Sequence, residues 1–332
     1  MSGVSQACVS KYLNDKPYVS KKTRIKIEKI IKKLNYKRSA IARSLVVKKT
    51  NCIGLLIRDI TNPFYANIIK GMEEYIFKGN YNYSLILSDM IEPEKSSDSY
   101  IDTFLERRVD AIATTTDNLK ISYLKLLENF NIPIIFVGRY IENPAIHINY
   151  ITIDNFRGSY LITDHLIKLG HKNIAHFSVN IGSAVVKNRL IGYKTALNDN
   201  DIEIKDENII FLNSLNAKSG YEAAKKLLSK KNRPSAIFCI SDYTAYGVID
   251  YCLKTNIKVP EDVSIAGFDD IGFSSLDFIN LTTVRQPIKE IGMIATEILL
   301  NKIELGEGDE IHKIIEPELI IRKSTGYFSK SN

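Results

Sequence analysis

No apolar run in the 332 residues approaches the roughly 18 needed to cross a bilayer, so no membrane-spanning helix is expected. The opening stretch, Met1 to Asp15, has no apolar core of the kind that directs export. The four cysteines, Cys8, Cys52, Cys239 and Cys252, show no CxxC spacing and are too sparse for a disulfide framework. That usage suits a reducing compartment, and a cytoplasmic protein is expected. The sequons at Asn82 and Asn280 are then chance matches. His165, His171 and His176 straddle Gly170 instead of sharing one helical face, so no metal site is expected. HExxH, GxSxG, GxxxxGK[ST] and GxGxxG are all absent, which leaves neither an enzyme nor a cofactor reading with a motif behind it.

Acidic residues are also scarce, but only locally. Residues 1–50 contain 14 Lys/Arg and just Asp15 and Glu28 as acids, a net of +12. Residues 51–332 hold 31 basic against 36 acidic residues, a net of −5. The overall +7 therefore hides a basic head on a mildly acidic body, a division that points to a polyanion-binding module ahead of a sensor or enzyme. In the head, Ser5 is placed to cap a helix, with Val4 and Val9 as its hydrophobic staple. That helix should run to about Leu13, where Asn14-Asp15-Lys16-Pro17 breaks it. A second start at Ser20 precedes the apolar stripe Ile27, Ile30, Ile31 and Leu34. Two short helices joined by a turn suit the DNA-reading half of a helix-turn-helix unit.

Gly3-Val4-Ser5, Val9-Ser10, Leu13-Asn14, Val19-Ser20, Thr23-Arg24 and Leu34-Asn35-Tyr36 fall in the frame of one known headpiece. By these residues the head resembles the DNA-binding headpiece of the lactose-repressor (LacI/GalR) family. The resemblance makes the first helix the recognition helix and places Gln6, Ala7 and Lys11 at base-reading positions. Their chemistry fits: Gln pairs with adenine, Lys donates to guanine and Ala touches a thymine methyl. Ser5, Ser10 and Thr23 are implied to contact phosphates or cap helices. Cys8 stands where the family usually has Thr and reads as a small packing residue. Arg38 to Leu45 is similar to the family's hinge, with Arg38 and Ser39 departing from the usual Pro-Asn. Leu45 is the implied minor-groove wedge, and Ala42 permits close approach. The family's first helix would lie upstream of Gly3, so the headpiece reads as N-terminally truncated, by a misplaced start or a real loss.

From Cys52 onward, short β-rich runs alternate with helical patterns. Strands are expected at Ile53–Ile57, Tyr83–Leu87, Ala111–Thr114, Ile134–Val137, Ile151–Ile153, Ile174–Ser178, Ile209–Leu212, Ala236–Ile240 and Ser264–Phe268. Helices are expected at Pro63–Lys78, Phe156–Leu169, Leu190–Asn198, Gly220–Leu228 and Tyr243–Lys254. This alternation implies two doubly wound parallel-sheet units, with Leu281–Val284 and Ile311–Ile321 crossing back between them. Ligands of such sheets bind beyond the carboxyl ends of the strands, which nominates Phe64, Tyr65, Ser241 and Asp269. Asn62-Pro63 suits a helix cap followed by proline, and Asp242 is expected to cap the helix from Tyr243. An aromatic platform, the Arg189 guanidinium and a carboxylate suit a polyhydroxylated ligand.

Asp59-Ile60-Thr61-Asn62-Pro63-Phe64-Tyr65, Leu169-Gly170-His171, Val259-Pro260-Glu261-Asp262-Val263-Ser264 and Gly267-Phe268-Asp269-Asp270 extend the resemblance over residues 3–327. They are similar to the family's periplasmic-binding-protein-like effector core, in which the positions of Arg189, Ser241, Asp269 and Gln286 line the cleft. The implied organisation is a headpiece at 1–37, a hinge at 38–50 and an effector-binding and dimerisation core at 51–332. The implied function is a transcriptional regulator, most simply a repressor. A homodimer would grip a near-palindromic double-stranded DNA operator under control of a small effector, a sugar or sugar phosphate. The alternatives are a ligand receptor that does not bind DNA and a truncated sensor with impaired operator binding.

Overall fold

The structure, a computed structural model, describes residues 3–13, 17–35, 49–90, 97–141, 148–180, 182–306 and 309–328. Ala42 and Leu45, assigned above to the hinge, lie outside the described residues. The chain forms two units, Met1–Thr50 and Asn51–Asn332.

In the first unit α1 spans Gln6–Leu13 and α2 spans Lys21–Lys33. Ser5 opens α1 by accepting the Cys8 N–H at 3.3 Å on its hydroxyl. Ser20 opens α2, accepting the Thr23 N–H and sharing a hydrogen bond with the Thr23 hydroxyl at 2.8 Å. Both satisfy N–H groups that a helix start leaves unpaired. The helices are tied by Tyr12, whose hydroxyl donates to Glu28 at 3.0 Å and whose ring lies 5.9 Å beneath the Arg24 guanidinium. Of the stripe read from sequence, Ile27 is buried, Ile30 and Ile31 are half-buried, and Leu34 is exposed.

The second unit is built on two parallel sheets. The first has six strands: β1 (Cys52–Ile57), β2 (Ser84–Asp89), β3 (Ala111–Thr114), β4 (Ile134–Val137), β5 (Asn149–Ile153) and β11 (His312–Ile315), in the order β11-β5-β4-β3-β1-β2. The second has four: β6 (Ile174–Val179), β7 (Ile209–Leu212), β8 (Ala236–Cys239) and β9 (Ser264–Ala266), in the order β7-β6-β8-β9. Strands β1, β3, β4 and β8 are almost wholly buried, as strands covered on both faces by crossover helices must be. The crossovers are α3 (Pro63–Lys78), α4 (Asp98–Glu106), α5 (Ile121–Asn129), α6 (Asn155–Lys168), α7 (Ala184–Asp199), α8 (Ala217–Leu228) and α9 (Asp242–Lys254). Two crossings back join the sheets. An antiparallel pair links β10 (Thr283–Arg285) to β12 (Glu318–Ile320), and α10 (Ile288–Leu305) returns the chain to β11.

Two outcomes stand out against the sequence reading. The helix α7 begins at Ala184 and not Leu190, because Val185 and Val186 pack into the core as helical residues despite their β preference. Asp242 is not the cap of α9. Ser241 takes that role, accepting the Thr244 N–H at 3.3 Å, and Asp242 is buried inside the first turn. Asn62 caps α3 as expected, accepting the Phe64 N–H at 3.0 Å ahead of Pro63.

Helices α3 and α10 meet backbone to backbone. A Cβ added at Gly71 would collide with the Lys289 carbonyl oxygen, and one added at Gly292 with that of Ile68. Gly71→Ala is therefore expected to lower unfolding stability by about 1–3 kcal/mol through overpacking, read as a lower urea midpoint. An unchanged midpoint would mean that the helices separate freely.

Candidate functional site

All strands of each sheet run in one direction, so their carboxyl ends collect at one edge. A cavity of about 740 Å³ opens there, lined from the first sheet by Arg58, Asn62, Tyr65 and Asp117 and from the second by Asn213 and Asn216. Behind it lies an inner compartment of about 40 Å³, lined by Phe64, Arg139, Arg189, Ser241 and Asp269, with Asn62 and Tyr65 common to both. Five of the six residues expected from sequence at the effector site therefore converge: Phe64, Tyr65, Arg189, Ser241 and Asp269. The sixth, Gln286, does not line the cavity. Its amide donates to Asp269 Oδ1 at 2.6 Å and orients that carboxylate from behind.

Arg189 is held on every side. Its Nε donates to Asn155 Oδ1 at 2.8 Å, its Nη1 to the Ile240 carbonyl at 2.6 Å, and its plane lies 3.6 Å from the Phe268 ring centroid. Nη2 stands 3.7 Å from Asp269 Oδ1, a loose approach that leaves the pair short of a direct hydrogen bond. Burial outweighs their attraction in both groups. It pushes the Asp269 carboxyl up to about 6 and the Arg189 guanidinium down to about 10. The Gln286 and Arg189 contacts both fall on Asp269 Oδ1, and Asp269 lines the inner compartment.

Asp269 is aimed by backbone that L-residues seldom adopt: φ is +118° there and +53° at Asp270. The surroundings hold the strain. Asp270 takes Arg285 at 2.7 Å and Arg322 at 2.6 Å, and the Asp269 N–H donates to Val284 at 2.8 Å. Buried Asp242 accepts from the Ile271 N–H and from the hydroxyls of Ser274 and Thr283. A conformation so over-determined at a cleft is the pattern of a built site.

The aromatics are arranged edge to face: the rings of Phe64 and Tyr65 are 5.2 Å apart at 88°. Phe64 is half-buried at the inner compartment, while Tyr65 is buried with its phenol raised by burial and pulled back by Arg139 and Arg58. Sequence reading missed Arg58, Asp117 and Arg139. The strand-end rule that nominated Phe64 would have found Arg58, directly after β1, and Arg139, two residues past β4.

On α1, Gln6, Ala7, Ser10 and Lys11 are exposed and spaced to share one helical face. Thr23 is half-buried and engaged with Ser20, and Cys8 is half-buried. The histidines are structural. The His171 ring meets the hydroxyls of Ser235 and Ser264, and His176 stacks on Tyr193 and Phe238. No group of His, Cys, Asp or Glu among the described residues could hold a metal. Among them, too, no helix is long and apolar enough to cross a membrane.

A helix pair with a polar reading face and a two-sheet core with a polar, aromatic-backed cleft define a ligand-binding transcriptional regulator. The comparisons place it within a family. Residues 1–39 match the pattern described as bacterial regulatory proteins, lacI family. Residues 50–324 match that of periplasmic binding proteins and the sugar binding domain of the LacI family. The HTH-type transcriptional regulator RegA of Clostridium saccharobutylicum is 35% identical over 326 residues, covering 98% of this chain and 96% of its own. The HTH-type transcriptional repressor PurR of Haemophilus influenzae is 33% identical over 328 residues, with 98% and 96% covered. A LacI family regulator from Enterococcus faecium with bound ribose superposes at a TM-score of 0.75 and 28% identity, covering 84% of this chain and 100% of its own. The lac repressor dimer bound to operator and an anti-inducer superposes at 0.84 over 98% of this chain and 96% of its own. At 24% identity that likeness speaks for the fold alone. The chain belongs to the LacI family of bacterial regulatory proteins, whose members are DNA-binding transcriptional regulators.

Proposed function

We propose that this protein is a cytoplasmic repressor, a binding switch and not an enzyme. Its homodimer holds a near-palindromic operator, and a small polyhydroxylated effector, a sugar, controls that grip. The division of labour is a headpiece at 1–37, a hinge at 38–50 that includes Ala42 and Leu45, and a sensing core at 51–332. Gln6, Ala7 and Lys11 read bases, Ser5, Ser10 and Thr23 serve phosphates or caps, and the effector meets Phe64, Tyr65, Arg189, Ser241 and Asp269, with Gln286 behind. The observation that carries this reading is the exposed single face of α1 formed by Gln6, Ala7, Ser10 and Lys11. The names of the PurR repressors and the ribose bound by the Enterococcus faecium protein support the repressor and sugar parts. Ligand closure of the cleft would alter the spacing of paired hinges and so couple effector to DNA affinity.

The test is selection of a site from randomised duplexes, followed by gel shifts across salt concentrations. Specific, steeply salt-sensitive binding is expected. Gln6→Ala and Lys11→Ala should each weaken the selected site by about 5- to 150-fold, the worth of one base contact, with little change on random DNA. Equal binding to all sequences would overturn the reading. It would favour a second one, a ligand sensor with impaired operator binding. That reading draws on the thin headpiece core, whose buried apolar side chains among the described residues are Val19 and Ile27.

A further inference from the structure

Two hydrogen bonds reach across the cleft, from the lobe built on the first sheet to the lobe built on the second. Arg139, two residues past β4, donates from Nη1 to the Ser183 hydroxyl at 2.9 Å. Its neighbour Tyr140 accepts on its hydroxyl from Asn188 Nδ2 at 2.5 Å. Ser183 stands at the amino end of α7, and Asn188 lies in that helix's second turn. Arg139 and Tyr140 are each anchored in their own lobe. Arg139 is hydrogen-bonded by the Tyr65 phenol, and the Tyr140 ring packs 5.4 Å from Tyr150, which stacks on His312 at 4.4 Å. From the other lobe, the charge of Asp269 also acts on Arg139. Arg139 and Ser183 are both buried, so water competes little for the bond between them.

That bond has a cost to α7. Ser183 holds the extended backbone of a helix cap, with φ −77° and ψ 134°, close to the −81° and 119° of Asn62. Asn62 caps α3, but Ser183 makes no capping hydrogen bond. Its hydroxyl is turned to Arg139 instead. The group it forgoes is the Val186 N–H, three residues on, the kind of donor that Ser20 takes from Thr23 and Ser241 from Thr244. One hydroxyl therefore has two competing uses, one between the lobes and one within the helix.

We propose that Arg139, Tyr140, Ser183 and Asn188 form a latch that holds the lobes together across the cleft, and that its release returns the Ser183 hydroxyl to the Val186 N–H. The latch is made of protein groups alone, so it requires no particular effector chemistry. Opening loses the bond to Arg139 and gains a cap on α7, which narrows the gap between the two states. Asn188 directly precedes Arg189 on α7, so the latch and that arginine move on one rigid element.

Residue-resolved hydrogen exchange and small-angle scattering of the full chain without effector test this. In Arg139→Met the Val186 amide should exchange about fivefold more slowly than in wild type, the worth of one serine cap. The double variant Arg139→Met/Ser183→Ala should lose that gain. Tyr140→Phe, which removes a single hydroxyl, should protect Val186 in the same direction to a smaller degree. Arg139→Met/Tyr140→Phe should have a larger radius of gyration than wild type. A purely structural role for these residues would speed exchange at Val186 together with the rest of α7, so slower exchange there is the distinguishing sign. If Arg139→Met does not fold, Tyr140→Phe decides. A Val186 amide that exchanges at the wild-type rate or faster in these variants overturns the hydroxyl exchange, and an unchanged radius of gyration overturns the latch.

Discussion

Arg189→Ala is expected to abolish the effector response and to destabilise the core by about 3–5 kcal/mol, the usual cost of stranding one half of a buried ion pair. The guanidinium is the hub of the inner compartment. It crosses from α7 to the Ile240 carbonyl beyond β8, to Asn155 at the start of α6, and over the Phe268 ring. Its loss leaves Asp269 buried with only Gln286 as donor. Gel shifts with and without effector read the first effect, and denaturant melts read the second. Arg189→Lys keeps the charge but loses the stacked plane and the forked donors, so it should recover stability better than response. A variant that melts like wild type and still responds would remove Arg189 from the site.

Asp242→Ala is expected to cost a similar amount, about 3–5 kcal/mol, although Asp242 does not line the cavity. Three donors lose their acceptor at once: the Ile271 N–H, the Ser274 hydroxyl and the Thr283 hydroxyl. Each buried group left unpaired costs roughly 1–3 kcal/mol, less what local relaxation recovers. The loop they hold carries Asp269 in its strained backbone, so effector affinity should fall with stability.

The same residue sets a pH dependence. Burial, reinforced by the charge of Asp269, pushes the Asp242 carboxyl up to about 8, against about 3.9 for an unfolded aspartate. The folded state then binds the proton more tightly than the unfolded state. This contribution is fully present below pH ~4 and is lost as pH rises through about 8. Asp269, raised to about 6, acts in the same direction over a lower window. Wild type should therefore lose stability between pH 6 and 8, and Asp242→Ala should flatten that limb while Asp269 still shapes the one below it. Parallel urea melts at pH 5, 6, 7 and 8 decide; parallel slopes for the two proteins would rule Asp242 out as the titrating group.

Much of this protein was determined by sequence alone, because the relevant signals are local. Ser5 and Ser20 cap their helices through atoms three residues away, and Asn62-Pro63 starts α3 the same way. The parallel sheets follow from apolar runs that only a doubly covered strand can bury. Phe64, Ser241 and Asp269 were legible because chain order alone puts them just past strand ends, and all such sheets gather those ends at one edge.

Tertiary structure decided the rest, since the remaining questions concern groups far apart in sequence. Whether Ser241 or Asp242 caps α9 turned on what else wanted the carboxylate. Ser274 and Thr283, 32 and 41 residues on, drew Asp242 inward and left the cap to Ser241. Gln286 could be placed near the cleft by resemblance, but only packing put it behind Asp269. Arg139 is the clearest case. In sequence it is one arginine in a chain with many, and its place against the Ser183 hydroxyl and beside the Tyr65 phenol exists only once α7, β4 and α3 have closed around it. Capping is read within one turn of chain, whereas the partners of a buried guanidinium are a property of the folded interior.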